Sequence, residues 1–222
     1  MTNSNKIIIF DLDDTLYNEE SFFLSGIQNV AIFLSYKFKL NKNLLNNYMM
    51  NYFKKNGRNK IFNQTLKYFK IYTIKNLNLC IQIYRYSNRK IYLNNDSKFI
   101  LNFLKNKNLY LVTDGNKNVQ KMKIKLLNLN KYFKKIFITH NYGIHNSKPS
   151  IFCFKKICQL ENTTFNNLVY IGDNPSKDFI NLNKKKALTI RLLNGMHKKT
   201  KAKKNYDAKI KIKSLNQILN YL

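Results

Sequence analysis

Two short apolar runs, Ile7-Ile8-Ile9-Phe10 and Leu168-Val169-Tyr170-Ile171, each lead into a group of carboxylates, and this pairing constrains the fold more than any other feature. Uninterrupted β-branched and aromatic residues of this length read as buried strands. The acids follow at the strands' carboxyl ends: Asp11, Asp13 and Asp14 after the first, Asp173 and Asp178 after the second. Open α/β sheets place their ligands there. The chain has 11 Asp or Glu against 40 Lys or Arg. A sequence so poor in carboxylates has little reason to gather them unless something positive needs holding.

The rest of the chain separates into two patterns. Between about Asn18 and Leu93 no convincing strand occurs, and apolar residues recur at helical spacing: Phe23, Ile27, Val30 and Leu34, then Leu45, Met49, Tyr52 and Phe53, then Leu66 and Phe69. Asn56-Gly57 is a helix stop in this reading. From Asp96 onward, helix and strand alternate. A helix capped by Ser97 precedes a strand at Leu109 to Val112; a helix around Asn118 to Leu127 precedes a strand at Ile136 to Thr139. Then come a helix over Ser150 to Leu160, the Leu168 to Gly172 strand, and a helix over Pro175 to Lys184 with proline in its first turn. Strands at Ala187 to Leu192 and Ala208 to Ile212, and a short helix capped by Ser214, close the chain. Such alternation predicts a Rossmann-like α/β core with a parallel sheet and right-handed crossovers. The expected division is a core of residues 1–17 and 94–222, with 18–93 as a helical insertion.

The formal charge of +29 suggests nucleic acid, since lysines bind phosphate backbones without regard to sequence. The distribution argues otherwise. Only Arg58, Arg85, Arg89 and Arg191 could supply the bidentate fork that base readout favours, and the lysines are spread among Asn, Ile, Tyr and Phe. All of these have A- or T-rich codons, so mutational bias in the genome accounts for the charge. The run from His197 to Lys204 lacks interleaved aromatics for stacking and reads as a solvated loop. No apolar stretch approaches the length of a membrane span, and Met1-Thr2-Asn3-Ser4-Asn5 leads straight into the first strand, so a cytoplasmic protein is expected. Cys80, Cys153 and Cys158 lie in apolar surroundings without metal-ligand spacing and read as buried free thiols.

Four segments carry the chemistry: Asp11-Leu12-Asp13-Asp14-Thr15-Leu16, Val112-Thr113-Asp114-Gly115-Asn116, Lys148-Pro149, and Gly172-Asp173-Asn174-Pro175-Ser176-Lys177-Asp178. Singly each is weak evidence. Together, in this order and each beyond a strand, they resemble the haloacid dehalogenase-like superfamily, whose hallmark is Asp-x-Asp-x-Thr on the first strand with Thr or Ser, Lys and paired Asp on later ones. The resemblance covers essentially the whole chain and implies a magnesium-dependent phosphatase acting on a small phosphomonoester, with the helical stretch as a cap. It implies Asp11 as nucleophile, Asp13 as general acid and base, Thr113 as a phosphoryl-oxygen ligand, and Lys148 as the cation that offsets charge. It also implies magnesium held by Asp11, the backbone carbonyl of Asp13 and Asp173, with Asp178 acting through water or orienting the shell.

Residue chemistry is consistent with those roles. A carboxylate can split phosphoester cleavage into two steps through an acyl phosphate. Strand periodicity puts Asp13 on the same side as Asp11. Carboxylates facing a phosphate require a cation, and magnesium suits hard oxygen ligands. Asp14 and Asp114 read as turn or cap residues. The family's true dehalogenases lack an acid at the position of Asp13 and need no magnesium. Its phosphomutases are expected to use cap residues, often His, whereas His140, His145 and His197 all lie outside 18–93. A phosphomutase or phosphotransferase remains an alternative, as does a non-enzymatic basic nucleic-acid-binding protein on the same fold. Val119-Gln120 followed by Lys123 resembles the nucleotidase and sugar-phosphate phosphatase branches. The expected partner is a small phosphorylated metabolite, with no specific nucleic acid and no membrane.

Overall fold

The structure, a computed structural model, describes residues 6–222. Met1 to Asn5, read above as the lead-in to the first strand, lie outside the described residues. The chain divides into two compact units, one formed by residues up to Glu19 together with Ile91–Leu222, the other by Glu20–Lys90.

In the larger unit, β1 (Ile7–Phe10) opens the sheet. After the helices of the second unit, α1 (Glu19–Phe38), α2 (Lys42–Asn56), α3 (Ile61–Tyr68) and α4 (Ile74–Tyr86), the chain returns through α5 (Asn95–Phe103) to β2 (Leu109–Thr113). Next come α6 (Lys117–Leu126), β3 (Lys135–Ile138), α7 (Phe152–Leu160), β4 (Leu168–Gly172), α8 (Ile180–Lys184), β5 (Leu188–Leu192) and β6 (Ile210–Ile212). Among the described residues the strands form one six-stranded sheet, all parallel, in the order β3-β2-β1-β4-β5-β6. The chain moves outward from β1 to β3, then crosses to the other side at β4. That reversal creates a crevice at the carboxyl ends of the central strands.

The sequence builds this sheet because β1, β2 and β4 are apolar at nearly every position and buried along their whole length, as strands covered on both faces must be. Ile7, Ile9, Tyr110, Val112, Leu168 and Tyr170 pack on one face with Phe154 and Ile157 of α7 and Leu182 of α8. By strand periodicity the intervening Ile8, Phe10, Leu111, Val169 and Ile171 serve the opposite face. The pairing of Phe10 with both Leu111 and Ile171 sets Asp11 level with the ends of its two neighbouring strands.

The helical unit has its own core, in which Phe23, Ile27, Val30 and Leu34 of α1 meet Leu45 and Met49 of α2, Ile61, Phe62 and Leu66 of α3, and Cys80 of α4. Asn41 caps α2 by accepting from Asn43 and Leu44 N–H. Gly57 ends it at φ +74°, a conformation that favours glycine, and its N–H bonds Phe53 O. The expected stop is therefore where the helix ends. The three cysteines are free and buried, and burial pushes the Cys80 thiol up to about 12 and Cys153 to about 11. Neither offers a reactive thiolate. No described helix is long and apolar enough to cross a membrane.

Three expectations differ from the structure. The helix expected from Pro175 begins only at Ile180, because Asp178 Oδ2 accepts Asn174 N–H at 2.9 Å and Asp178 N–H returns to Asn174 O at 3.0 Å, closing a turn instead. Ser97 does not cap α5, which starts after Asn94; its hydroxyl lies buried inside the first turn. The run from His197 onward is tethered as well as solvated, since Arg191 of β5 donates to His197 O at 2.7 Å and Thr200 O at 2.8 Å.

Candidate active site

The carboxyl ends of β1, β2 and β4 bring together residues far apart in sequence. Asp11 follows β1 directly, its N–H bonded to Ile171 O at 2.8 Å. Asp173 follows β4, and the turn described above folds Asp178 back beside it. One carboxylate oxygen from each of Asp11, Asp173 and Asp178 lies within 4.8 Å of the others, and all three residues are buried. Gly172 makes this possible, because a Cβ there would meet Asp178 Oδ2 at 2.6 Å.

Lys148, itself buried, places Nζ 2.8 Å from Asp11 Oδ1 and 2.8 Å from Asp178 Oδ1, and donates to Tyr170 Oη at 2.9 Å. Tyr170 in turn donates to Asp178 Oδ1 at 3.2 Å. The Lys148 loop is pinned by Asp114, whose Oδ1 accepts Lys148 N–H at 3.1 Å and the Thr139 hydroxyl at 2.8 Å, and whose Oδ2 meets Lys177 Nζ at 3.0 Å. Asp114 was expected to be a loop or cap residue; it is the hub that joins the segments after β2, β3 and β4.

Thr113, the last residue of β2, is fully buried with its hydroxyl unpartnered, and Thr15 is the same. A buried polar atom without a partner costs about 1–3 kcal/mol, so a hydroxyl left open at a strand's carboxyl end is suited to a ligand oxygen. Asp14 orders its turn: Oδ1 accepts Glu19 N–H at 2.9 Å at the start of α1, and Oδ2 accepts Met196 N–H at 3.0 Å.

The carboxylate of Asp13 turns to a different set of partners. It receives the Tyr17 hydroxyl at 2.6 Å, Lys123 Nζ at 2.6 Å and Gln120 Nε2 at 3.0 Å, and does not join the cluster of three acids. Burial pushes Asp13 upward, but the Lys123 charge and hydrogen bonds from Lys123, Tyr17 and Gln120 outweigh it and hold the carboxyl below its ordinary range.

The acid cluster behaves oppositely. Burial raises Asp11 to about 7 against the counter-pull of Lys148, with Asp178 adding to the rise. Burial and the charges of Asp11 and Asp178 raise Asp173 to about 9. Lys148, which burial alone would lower, is driven well above its ordinary value by Asp11 and Asp178. One buried ammonium among three buried carboxylates leaves the pocket short of positive charge. A hard divalent cation fits this oxygen-only donor set.

A stability consequence follows for the metal-free protein. Asp11 and Asp173 bind their protons more tightly folded than unfolded, so their contribution is fully present below the ordinary value of 3.8 and is lost as pH rises through about 7 and then about 9. Metal-free Asp173→Asn should therefore unfold at least about 4 °C above the unsubstituted protein at pH 9. The gap should narrow as the pH falls toward 4. Thermal scans in EDTA across pH check this, and equal unfolding temperatures at high pH would contradict it.

The chain belongs to the haloacid dehalogenase-like hydrolase family, whose family model matches residues 8–191. Its fold is shared by the Bacillus subtilis protein YfnB, described as a HAD hydrolase and bound to magnesium, at 19% identity over 98% of each chain with a TM-score of 0.67. A predicted phosphoglycolate phosphatase from Haemophilus somnus matches at 16% identity over 100% of this chain and 99% of that one, with a TM-score of 0.66. A 2-haloacid dehalogenase from Pseudomonas syringae matches at 17% identity over 97% and 96%, with a TM-score of 0.64. Comparison with curated protein sequences gives no match.

Tyr17, Gln120, Lys123, Asp114, Thr139, Tyr170 and Lys177 are polar residues whose contacts in the site sequence reasoning did not assign. A signal existed for two of them. Gln120 and Lys123 lie on the inward stripe of α6 beside Ile124, where an apolar residue is the norm.

Proposed function

We propose that this hydrolase is a magnesium-dependent phosphatase of small phosphomonoesters, working through an aspartyl-phosphate on Asp11. The observation that carries the reading is the buried Asp11, Asp173 and Asp178 cluster, neutralised only in part by Lys148; the unpartnered hydroxyl of Thr113 ends the neighbouring strand β2. Asp11 Oδ attacks phosphorus as the bond to the leaving oxygen breaks, and Asp13, which its partners hold ionised in the free protein and which takes up a proton as the anionic ester binds beside it, gives that oxygen the proton. Water then attacks phosphorus, Asp13 takes its proton, and cleavage of the acyl-phosphate bond frees phosphate and restores Asp11. Thr113 donates to a phosphoryl oxygen, while Lys148 offsets charge on Asp11 and the transferred group. Asp11, Asp173 and the backbone carbonyl of Asp13 would hold magnesium, with Asp178 orienting the others. Bound there, the cation favours ionised Asp11 and Asp173 and neutralises phosphoryl charge.

The family includes both phosphatases and dehalogenases; an acid at position 13 favours the first. These core residues address only the phosphoryl group, so they do not by themselves select among small phosphorylated metabolites. The test is phosphate release from a panel of phosphorylated metabolites and p-nitrophenyl phosphate, with and without magnesium. Release is expected with magnesium and should be lost in EDTA. Full activity with the metal removed, or halide release from a 2-haloacid without phosphate release from any ester, contradicts the reading.

A further inference from the structure

Asp13 is held by an arrangement more elaborate than a turn requires. Its Oδ1 receives two donors, the Tyr17 hydroxyl and Lys123 Nζ, each at 2.6 Å, and its Oδ2 receives Gln120 Nε2 at 3.0 Å. Tyr17 is buried, and burial with the charge of Asp13 keeps its phenol protonated and hence a donor. The Gln120 amide has its orientation fixed, because Nε2 also donates to Asp114 O at 2.7 Å and both acceptors need an N–H. Gly115 leaves room for that amide: a Cβ there would meet Gln120 Nε2 at 2.8 Å. Lys123 is buried and also approaches Glu19 Oε1 at 3.5 Å.

Burying a lysine on the core stripe of a helix is costly unless its charge is used. Gln120 and Lys123 sit three residues apart on α6, so their side chains leave the same helix face. They reach a carboxylate 107 and 110 residues earlier in the chain, one binding each oxygen. A carboxylate fixed at both oxygens has its plane and reach determined, which is what proton delivery to one particular leaving oxygen demands.

We propose that Lys123 and Gln120 are positioning residues for proton transfer, aiming the carboxyl of Asp13 at the leaving oxygen. The inference rests on the proposed role of Asp13 as general acid and base. Neither residue touches substrate; both act through Asp13. Their loss should slow the cleavage of esters whose leaving group needs a proton and spare those whose leaving group departs as a stable anion.

The test uses the full chain with magnesium and two substrates, an alkyl phosphate and p-nitrophenyl phosphate. It compares kcat/KM for the unsubstituted protein, Lys123→Met, Gln120→Met and Asp13→Asn. Because kcat/KM reports steps only as far as formation of the phosphoenzyme, the later water attack does not confuse the comparison. Lys123→Met is expected to lower kcat/KM for the alkyl phosphate by about ten- to a hundredfold more than for p-nitrophenyl phosphate. The change should fall in kcat, with KM nearly constant. Gln120→Met should show the same selectivity more weakly, and it carries the test if Lys123→Met does not fold. Equal loss on both substrates, or no loss, overturns the proposal. Asp13→Asn separates the two levels of argument. If it discriminates between leaving groups while Lys123→Met and Gln120→Met do not, only the positioning role fails. If Asp13→Asn itself shows no discrimination, the acid assignment fails and takes this inference with it.

Discussion

Asp11→Asn is expected to lower kcat by about four orders of magnitude or more while the protein stays folded. The amide has nearly the shape of the carboxylate and retains an oxygen toward Lys148, whose Nζ lies 2.8 Å from Asp11 Oδ1 and keeps Asp178 as an ionic partner at 2.8 Å. It cannot attack phosphorus. Its neutrality also relieves repulsion on Asp173, one of whose raising influences is the Asp11 charge. Metal-free Asp11→Asn should therefore be at least as stable as the unsubstituted protein at alkaline pH. Steady-state rates together with thermal scans check both halves. Retention of more than about a tenth of the activity would remove Asp11 from the nucleophile's role.

Lys148→Met carries the second large effect, and here stability falls along with activity. The ammonium is buried and serves Asp11, Asp178 and Tyr170 at once. Removing one member of a buried ionic group leaves its partners uncompensated, a loss of about 3–5 kcal/mol. Methionine fills most of the space, so the loss reports charge more than volume. Turnover should fall by about two to three orders of magnitude, the scale for losing one preorganised stabilising group. Added magnesium should restore part of the stability, because a cation bound by the same acids supplies some of the missing charge. Urea denaturation with and without the metal measures this. Unchanged stability would mean that the Lys148 ion pairs contribute nothing to the fold.

The sheet was legible because β1, β2 and β4 are short, uniformly apolar runs rich in β-branched and aromatic residues, the pattern of strands buried on both faces. The acids after β1 and β4 follow those runs immediately, so locating the strands located Asp11 and Asp173. Lys148 was found only by its place in the order of motifs, since no local pattern distinguishes it among so many lysines. What stayed hidden depends on pairing between distant segments. Asp114 reads as a turn residue until Thr139, Lys148 and Lys177 converge on it. Lys123 marks a branch of the family until Asp13 appears opposite α6. The mistaken helix from Pro175 has the same origin: local preference favoured a helix, and the fold instead uses Asp178 to close a turn and complete the acid cluster.

The central claim is that Asp11 becomes phosphorylated, and trapping the intermediate tests it most directly. The protein with magnesium is mixed with a phosphomonoester and quenched in acid within a turnover. Borohydride reduction then converts any acyl phosphate to the alcohol, and peptide mass spectrometry locates the change. The account predicts homoserine at position 11, dependent on substrate and magnesium and absent from Asp11→Asn. Reduction at Asp13, Asp173 or any other residue, or sustained phosphate release with Asp11 unmodified, would contradict it.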